Sequence, residues 1–169
     1  AVTLNLVVVY GLHYAGWKKG VGFAGIIFLA GYFSLVNGKY QNGLEVISNG
    51  GFAGLKGNNV GVVVNHTSVN SEEKHFIELA HSSGIEIGAV FTPEHGFKGV
   101  ASAGEKVENG IETLTGAPIY SLYGNTKKPT SEMLEGIDIL VFDMQDIGIR
   151  YYTYLSTLTL AMEAAVENG

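Results

Sequence analysis

Two clusters of ionisable and hydrogen-bonding residues stand out, each at the end of an apolar run. The first is Asp143-Met144-Gln145-Asp146, continued by Arg150, Tyr151, Tyr152 and Tyr154. The second is Thr92-Pro93-Glu94-His95-Gly96. A carboxyl that follows an apolar strand and a proline can be partly desolvated, which raises its pKa and suits Glu94 to general-acid work. The bland alternative is a loop carboxylate capping the next turn. His95 can donate to a substrate, orient Glu94, bind a metal, or serve only as a structural hydrogen-bonder. Asp143 and Asp146 can bind sugar hydroxyls or a metal, act as a base, or close the strand as Asx turns. Gln145 carries both donor and acceptor groups, which suits sugar or amide recognition. Arg150 offers a planar fork for a carboxylate, or an ion pair to Asp143 or Asp146. Tyr151, Tyr152 and Tyr154 supply flat faces for stacking on sugar rings and hydroxyls for hydrogen bonds, with at least one of them in the core.

The positions of these residues follow from the pattern around them. Val60–Val64, Ile85–Phe91, Pro118–Leu122 and Ile137–Asp143 read as strands. Ser71–Ser83 and Thr153–Glu167 read as helices, with a brief helix from Pro129 to Leu134 and a short one within Gln41–Gly57. Strands alternating with helices imply βαβ units and an α/β fold with an open parallel sheet and flanking helices. In such sheets ligands bind beyond the carboxyl ends of the strands. Asn65-His66-Thr67, Glu94-His95 and Asp143 to Asp146 then share one rim, joined by Tyr123 at the end of the third strand. The loop Gly99–Lys106 contributes Glu105 as a second carboxylate or as a solvated charge.

Bulk properties narrow the classes. The 169 residues favour one domain, and 46% hydrophobic residues support a real core. A net charge of -6, from 10 basic and 16 acidic residues, argues against a nucleic-acid binder. Cysteine is absent, so there is no thiol nucleophile or thiolate metal site. The glycine-rich stretch Gly51–Gly57 precedes a strand instead of following one, so it is not a dinucleotide fingerprint. No phosphate loop, Gly-x-Ser-x-Gly elbow or His-Glu-x-x-His motif occurs. No cofactor and no metal is called for.

Residues 1–42 form a distinct N-terminal apolar segment. Lys18-Lys19 ahead of Val21–Phe33 resembles the basic and apolar regions of a signal peptide or a short membrane anchor. Its alternative is a buried hairpin or helix. The expected setting is extracytoplasmic, periplasmic or secreted, with the membrane reached only through that segment; a cytoplasmic setting is the alternative. No methionine precedes Met133, and no strand follows the last helix, so the sequence reads as a piece of a larger protein.

Several separate motifs together resemble the bacterial exo-β-N-acetylmuramidase family, long catalogued only as a domain of unknown function. They are Val60–Thr67, Phe91–Gly96, Ala103–Lys106, Pro118–Gly124, Lys128-Pro129-Thr130 and Phe142–Tyr154. The likeness runs in order from about Gly43 to Gly169. It implies a peptidoglycan-recycling glycosidase that removes N-acetylmuramic acid from the non-reducing ends of cell-wall fragments. The partner it implies is a peptidoglycan-derived muropeptide or disaccharide. It also implies a Rossmann-like N-terminal catalytic domain, of which residues 43–169 are part, and a smaller C-terminal domain absent from this sequence. On this reading Glu94, His95 and Asp143 are the catalytic candidates. Asn65, His66, Glu105, Tyr123, Gln145, Asp146, Arg150, Tyr151 and Tyr154 are the substrate-binding candidates, with Arg150 facing the lactyl carboxylate. The second catalytic role falls to Asp143, Glu105 or the substrate's own acetamido group. Two other classes remain open: a metal- or base-assisted hydrolase of another bond, and a catalytically silent carbohydrate-binding domain.

Overall fold

The computed structural model describes residues 41–94, 96–97, 110–149 and 151–169. The expected signal or anchor segment therefore lies outside the described residues. Helix α1 (Gly43–Asn49) opens on a capping box: the Asn42 side chain accepts from Glu45 N–H, and the Glu45 carboxylate accepts from Asn42 N–H. Strand β1 (Asn59–Val64) follows, then α2 (Phe76–Ser82) and β2 (Glu86–Thr92). After them come β3 (Gly110–Ile111), β4 (Pro118–Ser121), a 3-10 turn (Glu132–Leu134), β5 (Ile139–Asp143) and α3 (Tyr154–Asn168).

The sheet order is β3-β4-β2-β1-β5. β4, β2, β1 and β5 are parallel, as the alternation predicts; β3 pairs antiparallel with β4 and makes the sheet mixed. A two-residue strand is too short to carry a period, so nothing in the pattern announces β3. The valines of β1 are fully buried because both faces of the sheet are covered. Val60, Val62 and Val64 pack with Leu44, Phe52, Phe76 and Ile77 beneath α1 and α2. Val63, Ala89, Phe91 and Leu140 pack with Tyr154, Ala161 and Ala165 of α3 on the opposite face. Gly61 lets these layers close: a Cβ there would stand 3.1 Å from both Ile137 Cγ2 and Leu140 Cδ1 and 3.3 Å from Phe91 Cε2.

The second helix begins five residues later than Ser71. Asn70 is the cause. Its side-chain oxygen accepts from the N–H of Glu72 (3.0 Å) and Lys74 (2.9 Å), and its N–H donates to Lys74 O, so Ser71–Lys74 closes on itself as a turn. Glu73 sits at φ 60° within it. The helix then starts from His75, whose ring accepts from Ile77 N–H at 3.2 Å. The brief helix after Pro129 is a single 3-10 turn, and β5 begins at Ile139 instead of Ile137.

Candidate active site

From β1 the chain passes through α2 to β2 on one side, and later returns to β5 on the other side of β1. That reversal makes the carboxyl ends of β1 and β5 the switch point of the sheet, the place where open α/β sheets bind ligands. Register puts the tips level: Val64 pairs with Asp143, and Val63 pairs with both Phe142 and Phe91. The sequence-predicted convergence of Asn65, Glu94 and Asp143 on one rim matches this register.

Hydrogen bonds tie the tips together. Asn65 is fully buried. Its Oδ1 accepts from the Thr67 N–H (2.8 Å) and hydroxyl (2.7 Å), and its Nδ2 donates to the Tyr154 hydroxyl at 2.9 Å. The Thr67 hydroxyl in turn accepts from Gln145 N–H at 3.1 Å, which fastens the β5 loop to the β1 loop. Ser68 adds a second fastening by donating its hydroxyl to Asp143 O while accepting from Asn65 N–H. Beneath them, His75 bridges Asn65 O through Nε2 (2.9 Å) while its Nδ1 accepts from Ile77 N–H, so the proton sits on Nε2. Burial lowers the His75 pKa, against the pull of the Asn65 carbonyl, and keeps the ring neutral.

Glu94 is half-buried in the turn after β2. Gly96, at φ 70°, donates to Pro93 O and closes that turn in a conformation that favours glycine. The Thr153 hydroxyl lies 3.4 Å from Glu94 Oε2. Tyr123 also hydrogen-bonds Glu94; that bond, with burial and the carboxylate charge, holds the phenol above its usual range. Glu94 thus sits among hydroxyl donors from the tip of β4 and the start of α3.

Asp143 is different. Its Oδ2 is enclosed without a hydrogen-bond partner, and burial pushes the carboxyl up to about 6. Thr92 Oγ1 and Asp146 Oδ2 are likewise enclosed and unpartnered. Asp146 Oδ1 accepts from Gly148 N–H at 2.6 Å, the Asx turn that was one of its two readings. Gln145 and His66 are exposed on the rim, and Tyr151 is 92% exposed. Tyr154 is 5% exposed and packs edge-on against Tyr152, so it is the core member of the tyrosine cluster. His95, Glu105 and Arg150 lie outside the described residues. Among the described residues no group of three His, Asp or Glu is placed to hold a metal ion, and no helix is long and apolar enough to cross a membrane.

Sequence reasoning set Thr67 on the rim without giving it a role, and passed over Ser68, His75 and Thr153. The first two belong to the polar tip of β1, and their signal was nearness to Asn65. Thr153 could be found only from its place one residue ahead of Tyr154, where the last helix starts. His75 gave little signal, since histidine is not among the favoured N-cap residues.

Fold and rim together define an α/β domain that gathers carboxylates, hydroxyls and amides at its switch point. Comparison with known proteins makes this specific. Residues 60–169 match the family described as "Exo-beta-N-acetylmuramidase NamZ, N-terminal". The "Peptidoglycan beta-N-acetylmuramidase NamZ" of Bacillus subtilis (strain 168) is 46% identical over 132 residues, covering 78% of this chain and 32% of that protein. The crystal structure of a DUF1343 family protein from Bacteroides fragilis NCTC 9343 is similar, with TM-score 0.68 and 43% identity, over 76% of this chain and 32% of that one. A second DUF1343 structure from the same organism gives TM-score 0.59 and 33% identity, over 74% and 31%. The chain belongs to the NamZ exo-β-N-acetylmuramidase family and matches its N-terminal domain. It spans about a third of the length of these relatives.

Proposed function

We propose that this chain supplies the catalytic rim of a glycosidase that releases N-acetylmuramic acid from the non-reducing ends of peptidoglycan fragments. The observation that carries the reading is Glu94, a half-buried carboxyl at the tip of β2, flanked by the hydroxyls of Thr153 and Tyr123, in a chain of the NamZ family. Glycoside cleavage needs an acid to protonate the leaving oxygen and stabilisation of an oxocarbenium-like transition state. Glu94 takes the first role. Asp143, Glu105 or the substrate's own acetamido group takes the second. Asp143 holds its proton up to about pH 6, so at neutral pH it offers an enclosed, unpartnered acceptor oxygen. Gln145, His66, Tyr123, Asp146 and Tyr151 supply hydrogen bonds and a stacking face to the sugar, and Arg150 the fork for its lactyl carboxylate. The partner is a muropeptide or disaccharide, met in an extracytoplasmic setting. Residues 43–169 form part of the catalytic domain, and a smaller C-terminal domain completes the cleft.

The test is hydrolysis of a chromogenic N-acetylmuramic acid glycoside by the full-length protein. Glu94→Gln keeps the shape and removes the acid, and it is expected to lower kcat by about a hundredfold or more. An unchanged rate removes Glu94 from the mechanism.

A further inference from the structure

We infer that Asn65 is a positioning residue, which sets the geometry of Glu94 through Tyr154 and Thr153 instead of meeting the substrate. The inference rests on the reading of Glu94 as the acid. The Asn65 side chain is 0% exposed. Both of its polar atoms are engaged within the protein, Oδ1 by two donors from Thr67 and Nδ2 by the Tyr154 hydroxyl. An amide in this place is chemically apt, because it accepts on one side and donates on the other.

What the amide holds is the point where α3 begins. Thr153, the N-cap, has no side-chain capping bond of its own. Its hydroxyl is turned to Glu94 Oε2 instead. Tyr154, the next residue, is pinned by Asn65 across a sequence distance of 89 residues. The position of the hydroxyl beside Glu94 therefore depends on the Asn65–Tyr154 bond. The same amide reaches the β5 loop through the Thr67 hydroxyl and Gln145 N–H. One side chain thus fixes the loops after β1 and β5 and the helix start that faces the acid. Small displacements of a catalytic group carry large rate penalties, while a substrate contact removed from the ground state shows in KM.

The experiment uses the full-length protein and the variants Asn65→Ala, Tyr154→Phe and both together. Tyr154→Phe removes a single oxygen and keeps the core filled, so it reports even where Asn65→Ala does not fold. Two readouts are taken: kcat and KM on the chromogenic N-acetylmuramic acid glycoside, and the pH titration of the Glu94 carboxyl by carbon-13 NMR, assigned by its loss in Glu94→Gln. The expected result is a kcat lower by roughly tenfold to a hundredfold with KM within about twofold, and a double variant no slower than the worse single one. The Glu94 titration differs between wild type and Tyr154→Phe, because loss of the Asn65–Tyr154 bond moves the Thr153 hydroxyl that faces the carboxylate. A raised KM with kcat retained would show that Asn65 touches the substrate and overturns the inference. Identical Glu94 titrations in wild type and Tyr154→Phe overturn it as well, leaving Asn65 with a purely structural role. Absence of turnover in the wild type instead sinks the glycosidase reading, while the NMR titration still decides whether Asn65 governs Glu94.

Discussion

Asp143 shows how burial and function pull on one group. Its carboxyl is raised from 3.8 to about 6 by desolvation alone. Between those values the folded chain binds the proton more tightly than the unfolded chain, so stability falls as pH rises through the window. Ionised Asp143 costs at most about 3 kcal/mol above pH 6. Asp143→Asn removes that cost. The variant's unfolding free energy should match wild type near pH 4 and exceed it by up to about 3 kcal/mol at pH 7 to 8, measured by urea melts across pH. A constant difference across the range would mean that the carboxyl is solvated. The residue's chemistry is legible in the sequence, because an acid at the end of an apolar strand has few other places to go. The roles of Asn65 and Tyr154 are not, since polar type and rim position do not reveal whether two side chains face each other or a ligand.

Among the elements, the strands are the easiest to foresee. Runs such as Val60–Val64 are continuous and, Gly61 apart, β-branched, as suits strands covered on both faces, and the observed ends differ from the expected ones by no more than two residues. The start of α2 escapes the pattern because Asn70 captures the amides that a helix from Ser71 would have needed. His75 then does two tasks, capping α2 and holding Asn65 O. His75→Ala is expected to lower stability by about 1 to 2 kcal/mol at pH 8, read from chemical melts. The effect should shrink on acidification. The folded-state pKa of His75 lies below its ordinary 6.5, so its contribution is complete above that value and is lost as pH falls below it. A loss that grows on acidification would contradict the neutral ring.

At the scale of the molecule, the parallel order of four strands sets the distance between chemical groups, and close packing of both layers sets the order. Gly61 is a point where that packing is tight on the α3 face. Gly61→Val should destabilise the chain by about 1 to 3 kcal/mol through overpacking against Ile137, Leu140 and Phe91, seen as a lower melting temperature. A neutral substitution would show that the α3 layer yields. The parallel sheet and its flanking helices follow from alternation of elements, whereas the strand order that puts the switch point between β1 and β5 does not. The antiparallel β3 does not, because its pairing with β4 is decided by tertiary contact and not by its own two residues.

The pairing of Val64 with Asp143 has a bearing on how such a protein can vary by descent. Neighbouring side chains in a strand point to opposite faces, so losing or gaining one codon within β5 would turn Asp143 toward α3 and Phe142 toward α1 and α2. A change of length within β5 therefore costs more than one in the connections between strands, and the spacing from strand to acid is the part of the genetic record under the tightest constraint.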